Sequence, residues 1–239
     1  MNPIPISKRS GAEREISIAI EGVSLEGTLA IPANVVGIVL FVHGSGSSRH
    51  STRNRFVAHE LQSHGIGTLL FDLLTPDEEI FDRATAEYRF DIRFLTDRLI
   101  GATRWAMSQP DLRSLRIGFF GASTGAAAAL VAAAELPPNA ISAVVSRGGR
   151  PDLAGDALSS IQTPTLLLVG GNDEPVIGMN REALERLHCS HKRLVIVPGA
   201  THLFEEPGTL EKVADLAAEW FTQYLQIART MPSASSARS

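Results

Sequence analysis

Residues 118–135 read GFFGASTGAAAALVAAAE. An apolar run, a Gly-Ala-Ser-Thr-Gly knot and an alanine run follow one another with no polar spacer. Strands buried on both faces present near-continuous apolar runs, so the stretch reads as a buried strand, a tight turn and a buried helix. Small residues on either side of the hydroxyl pair let the two backbones approach without Cβ clashes, and this arrangement lifts Ser123 to the apex of the turn.

The same grammar extends in both directions. VVGIVLFVHG (35–44), IGTLLFD (66–72), RIGFFGA (116–122), ISAVVSRG (141–148), TLLLVGG (165–171) and RLVIVPG (193–199) are short apolar runs. Helical candidates lie between them at 53–63, 91–108, 125–135, 180–187 and 210–226. Such alternation predicts right-handed crossovers and an α/β fold with three layers, built on a mostly parallel, doubly wound sheet. At the start, EISIAIEGVSLEGTLAI (15–31) alternates apolar and polar residues about a Glu-Gly turn, the pattern of an antiparallel hairpin. RPDLAGDALSSIQTP (150–164) suits a short helix rather than a large cap domain, so the carboxyl edge of the sheet is expected to be open. The reading is a single domain over 15–228, preceded by an N-terminal segment, 1–14, and followed by a polar, disordered tail, 229–239.

Bulk properties narrow the partners. A chain of 239 residues with 44% hydrophobic content supports one substantial core. A net charge of -4 offers no general attraction to nucleic acid or to anionic membranes, which points to a small-molecule partner. Cys189 is the sole cysteine, so no intrachain disulfide forms, and it reads as a packing residue near a helix end. The first fifteen residues hold no apolar signal region, and no run approaches the roughly 20 apolar residues of a membrane span. A cytoplasmic location is expected. Monomer and dimer are equally compatible with the sequence.

In open parallel sheets, ligands bind outside the carboxyl ends of the strands. The polar residues at those ends are His43, Asp72, Ser123, Arg147, Asp173 and His202. Gly121–Gly125 forms G-x-S-x-G between a strand and a helix, which makes Ser123 the candidate nucleophile. A serine hydroxyl needs a base, and the base needs a group that fixes its tautomer. His202, just past the last strand, and Asp173, at the end of the preceding one, fit those roles in the order Ser, Asp, His. Asp152, Asp156 and Glu174 lie farther from a strand end and are weaker candidates for the acid. The glycine-rich VHGSGSSR (42–49) supplies an oxyanion loop, with the backbone N–H of Ser45 and Thr124 as donors and Gly46 as the alternative to Ser45. His43 is expected to order that loop. The substrate-contacting set is read as His43, Gly44, Arg147 and Arg53, with Arg147 and Arg53 suited to an anionic group. The competing role for Arg147 is internal pairing with Asp72 or Asp91.

Taken together, HGSG, GASTGA, GGND and GATHLFEE, in this order and spacing, resemble the α/β-hydrolase superfamily, in particular the small, capless dienelactone-hydrolase-like group, over roughly residues 15–228. HGSGSSRHSTRNR and SRGGRPDLAG resemble a subgroup some of whose members are fused to phosphoribosyltransferase domains, and no such domain is read in this sequence. Dienelactone hydrolases proper use a cysteine nucleophile. The serine at position 123 therefore shifts the expectation to hydrolysis of carboxylic esters through an acyl-enzyme, without a cofactor. Lactone hydrolysis or acyl transfer would use the same residues.

Two other classes compete. GIVLFVHGSGSSRH followed by GIGTLLFD also reads as a nucleotide-binding strand, loop, helix and strand with Asp72 at the ribose position, although Arg49 stands where that fingerprint needs a small residue. A non-catalytic receptor on the same fold is the other. His188, Cys189 and His191 have no second ligand cluster beside them in sequence, so no metal site is expected.

Overall fold

A computed structural model describes residues 13–226; most of the N-terminal segment and the whole polar tail lie outside the described residues. Eight strands form one sheet: β1 (Glu13–Ile20), β2 (Val23–Ala30), β3 (Gly37–Val42), β4 (Ile66–Phe71), β5 (Ile117–Ala122), β6 (Ile141–Arg147), β7 (Thr165–Gly170) and β8 (Lys192–Val197). Their spatial order is β1-β2-β4-β3-β5-β6-β7-β8. β1 and β2 form the expected hairpin, β2 joins β4 antiparallel, and every pairing from β4 to β8 is parallel. The sheet thus grows one way from β3 to β4 and the other way from β5 onward. A crevice is expected where the order reverses, at the carboxyl ends of β3 and β5.

Helices cover both faces because the inner strands are buried on both. Val39, Phe41, Phe120 and Val145 point to α1 (Thr52–Ser63) and α6 (Thr209–Leu225), and the rings of Phe41 and Phe120 lie 4.9 Å apart. Ile38, Leu40, Phe119 and Val144 point to the other side, where α3 (Ile92–Ser108), α4 (Thr124–Glu135), a 3-10 segment (Pro151–Ser160) and α5 (Glu174–Arg186) pack. No cap domain interrupts β6 and β7; only the 3-10 segment stands there, kinked at Gly155. Among the described residues, no helix is long and apolar enough to cross a membrane.

Two helices depart from the sequence reading. α2 (Pro76–Thr85) was not expected, because its apolar Ile80 and Phe81 remain exposed and give no periodic signal of burial. Its readable mark is a capping box: the Thr75 hydroxyl accepts from the Glu78 N–H, and the Glu78 carboxylate accepts from the Thr75 N–H at 2.8 Å. α5 begins at Glu174 and not near 180, since Pro175 opens the helix with a polar first turn that carries no apolar stripe.

The alanine run lets α4 pack hard against the sheet. A Cβ placed on Gly125 would stand 2.3 Å from the Val42 carbonyl oxygen and 2.4 Å from that of His43. One on Gly121 would stand 2.5 Å from the Ala126 Cα. Glycine-to-alanine exchange inside a helix normally adds about 1 kcal/mol of stability. Gly125→Ala is expected to reverse that sign and to cost about 2 kcal/mol through overpacking against backbone. A lowered urea midpoint with an unchanged slope is the expected result; a raised midpoint would contradict this packing.

Candidate active site

Ser123 joins β5 to α4 with φ 51° and ψ −121°, a left-handed backbone that costs energy for any residue with a side chain. Hydrogen bonds hold it on both sides. Its N–H donates to the Arg147 carbonyl at 3.2 Å, and its own carbonyl accepts from the N–H groups of Ala126 and Arg150, each at 3.1 Å. The helix that follows presents first-turn N–H groups without intrahelical partners beneath the hydroxyl, a positive end suited to a developing anion.

The loop after β3 lies against this turn. A Cβ on Gly44 would stand 3.1 Å from both the Ser123 Cβ and the Ala122 carbonyl oxygen, so glycine lets the loop border the nucleophile without crowding. The Ser45 N–H donates to the Thr124 hydroxyl at 2.9 Å. Thr124 therefore contributes its side chain as a clamp on this loop, a role beyond the oxyanion-donor role that the sequence reading gives its backbone N–H.

His43 does not reach toward substrate. It is buried, its Nδ1 donates to the Gly44 carbonyl at 3.0 Å, and its Nε2 accepts the Leu73 N–H at 3.1 Å. The imidazole orders the loop, and its place in the substrate-contacting set is corrected accordingly. Burial lowers its pKa below the usual 6.5, outweighing the opposing pull of the Gly44 bond and of the charges on Asp72 and Glu79.

Arg49 fastens the far end of the loop. Its backbone N–H donates to Asp72 at 2.7 Å, and its guanidinium binds Asp72, Glu26 (2.7 Å) and Glu15 (3.5 Å). With Asp72 spent on this anchor, the nucleotide-binding reading loses its ribose acid.

On the other side of Ser123, two loops are clipped together. The Asn172 N–H donates to the Ala200 carbonyl at 2.9 Å and its side-chain amide to the Gly199 carbonyl at 2.9 Å. This brings Asp173 Oδ2 to 2.6 Å from His202 Nδ1. The carboxylate holds the proton on Nδ1 and leaves Nε2 free as a base. Asp173 is 13% exposed and His202 38%, so the acid is shielded while the imidazole remains reachable. A Cβ on Gly148 would lie 3.5 Å from His202 Cε1 and Nδ1, which sets the ring over the residue next to Arg147, the residue that holds the Ser123 N–H. The weaker acid candidates are otherwise engaged or placed: Asp152 pairs with Arg150, Asp156 with Arg186, and Glu174 opens α5.

Neither internal partner expected for Arg147 takes that role. Asp72 binds Arg49, and Asp91 caps α3 by accepting from the Phe94 N–H at 2.9 Å. Arg147 is buried, and among the described residues its guanidinium hydrogen-bonds only to Asn54 Oδ1, at 3.5 Å; Arg53 pairs with Glu205 at 3.1 Å. Sequence reasoning did not find Asn54 or Glu205, since neither stands at a strand end. Cys189 is a buried thiol whose pKa burial raises, consistent with packing. Among the described residues, no group of three or more His, Cys, Asp or Glu is placed to hold a metal ion.

A family model described as the dienelactone hydrolase family matches residues 25–230. A dienelactone hydrolase from Anabaena variabilis is 59% identical, with a TM-score of 0.88, over 90% of this chain and 99% of that one. A Pyrococcus furiosus esterase, 19% identical over 90% of this chain and 92% of its own, shares the fold with a TM-score of 0.74. A Mycobacterium tuberculosis protein provisionally named a phosphoribosyl transferase is 55% identical over 213 residues, 89% of this chain but 47% of that protein. The chain thus spans about half the length of these curated relatives.

The buried imidazole of His43 carries a pH signature. The folded protein keeps it neutral, whereas the unfolded chain takes up a proton near 6.5. Its contribution to stability is therefore fully present above that pH and is lost as pH falls below it. His43→Gln, whose amide oxygen can still accept the Leu73 N–H, is expected to flatten the fall in urea midpoint as pH drops below about 6.5. Parallel wild-type and variant curves would show that the ring is not held neutral.

Proposed function

This chain belongs to the dienelactone hydrolase family, and we propose that within it the protein is a serine hydrolase that cleaves carboxylic esters through an acyl-enzyme on Ser123. One observation carries the reading: a carboxylate, Asp173, 2.6 Å from the imidazole of His202, on the loops that flank a serine held at positive φ.

The chemistry follows from those parts. Ser123 Oγ attacks the ester carbonyl while His202 Nε2 takes its proton, and Asp173 stabilises the resulting imidazolium. The Thr124 N–H at the start of α4 is one donor to the tetrahedral oxyanion. The second comes from the Ser45–Gly46 stretch, where the Thr124 hydroxyl already orients the Ser45 N–H; the substrate oxygen would share or displace that bond. Collapse breaks the bond to the alcohol, which leaves with the proton from His202. Water then gives a proton to His202 and attacks the acyl carbonyl; the bond from Oγ to the acyl carbon breaks, His202 returns the proton to Ser123 Oγ, and the acid is released.

The serine distinguishes this site from the cysteine nucleophile of dienelactone hydrolases proper, and the open carboxyl edge favours short acyl esters over long lipids. The phosphoribosyl transferase name attaches to mycobacterial proteins of which this chain matches just under half, and none of the three proposed catalytic groups calls for a phosphoribosyl donor.

Hydrolysis of p-nitrophenyl acetate and butyrate by wild type, Ser123→Ala and Asp173→Asn tests the proposal. Ser123→Ala is expected to lose activity by at least about 10³-fold and to escape labelling by an organophosphonate that mass spectrometry finds on Ser123 of the wild type. Asp173→Asn is expected to lower kcat by about 10⁴-fold with little change in KM. A wild type that is inactive and unlabelled would refute the assignment.

A further inference from the structure

Among the described residues, the other recessed arginines are given carboxylates. Arg49 has three, Arg89 binds Asp82 at 2.7 Å, and Arg98 binds Glu78. Arg147 is more deeply buried than any of these, and among the described residues no carboxylate pairs with it. Its Nε and Nη1 are buried with no hydrogen-bond partner, and Nη2 reaches Asn54 Oδ1 only at 3.5 Å, the outer limit of a hydrogen bond. The neighbouring charge is of the same sign: Arg53, whose Nε is also buried and unpartnered. Burial and that second guanidinium lower the Arg147 pKa to about 10, which leaves it charged at neutral pH. Two adjoining cations with unfilled, buried donors are an unstable arrangement unless an anion completes them.

The position of the pair says which anion. Arg147 ends β6 between Ala122 of β5 and Leu168 of β7, and its carbonyl holds the Ser123 N–H. Two residues beyond Val145, its side chain turns to the α1 side of the sheet, where it meets Asn54. Arg53 stands in the first turn of α1, directly after the loop that borders Ser123. Its partner Glu205 lies three residues beyond His202 and is 63% exposed, so solvent screens this ion pair and weakens it. Arg53 itself is 32% exposed while Arg147 is buried, so the pair of guanidiniums runs from the solvent boundary inward.

We propose that Arg147 and Arg53 together bind an oxyanion, a carboxylate or phosphate group, carried by the ester substrate, and that this contact makes the enzyme selective for anionic esters. The inference rests on the serine-hydrolase reading for its catalytic consequence. Guanidinium forks bind such groups through paired, charge-assisted hydrogen bonds, and the Nε and Nη1 of Arg147 form one edge of such a fork.

The test compares kcat/KM for p-nitrophenyl butyrate and for p-nitrophenyl hydrogen succinate, which carries a carboxylate on a similar chain. Wild type is expected to favour the succinate ester. Arg53→Gln and Arg147→Met are each expected to reduce the succinate-to-butyrate ratio about tenfold, the effect of losing one charge-assisted hydrogen bond. Arg147→Lys should retain part of the preference. In parallel, calorimetry of succinate and inorganic phosphate with Ser123→Ala, with and without Arg53→Gln, reads binding without turnover. The Arg53 variants keep the test decisive if Arg147→Met fails to fold. A wild type with no preference, or variants that lose both esters equally, would overturn the proposal. Binding of phosphate that depends on Arg53 but leaves the ester ratio untouched would also overturn it, by assigning the pair to a free anion. Binding of succinate that depends on Arg53, in a wild type that hydrolyses no ester, would uphold the anion site and remove the hydrolase reading instead.

Discussion

Ser123 is held in a left-handed backbone between a strand and a helix that hydrogen alone, at Gly121 and Gly125, allows to meet. Much of the carboxyl edge is organised around that constraint. The loop after β3 can border the nucleophile because Gly44 has no Cβ, and it stays there because Thr124, the next residue of the turn, accepts the Ser45 N–H. The strain is offset by hydrogen bonds in which the Ser123 N–H donates to the Arg147 carbonyl and the Ser123 carbonyl accepts from Ala126 and Arg150, so the end of β6 and the segment after it are tied to the same point.

Around this rigid turn, charge is distributed unevenly. On the hairpin side, Arg49 collects Glu15, Glu26 and Asp72 and locks the loop to β1, β2 and the end of β4. On the side of β7 and β8, Asn172 clips two loops together and brings a shielded carboxylate to an accessible imidazole. Between them lies Arg147, charged, buried and without a counter-ion among the described residues. A fold that neutralises its other recessed arginines leaves this one open, beside the serine.

Much of this was legible in the chain. Apolar runs of six or so residues mark strands buried on both faces, since no other element of that length is apolar throughout; each expected strand lies within a few residues of its place in the sheet. The Gly-x-Ser-x-Gly stretch carries its own geometry, because glycines at those two spacings serve close approach of the elbow and helix. α2 was missed for the opposite reason: a helix with exposed Ile80 and Phe81 buries no stripe, and only its capping box announces it.

By itself, then, the sequence determined the layered α/β sheet, the strand ends at which polar residues gather, and the order of Ser123, Asp173 and His202 along them. These follow from local pattern, because burial on two faces, turn sterics and helix caps act over a few residues. Tertiary structure alone decided which charges meet. That Asp72 serves Arg49, that His43 turns inward to Leu73, that Asn54 and not a carboxylate faces Arg147, and that Glu205 pairs with Arg53 depend on contacts between residues 23 to 152 positions apart, the extremes being Arg49 with Asp72 and Arg53 with Glu205. Side-chain pairing across such distances is set by the registry of the sheet and the packing of helices on it, and no local run of residues encodes it.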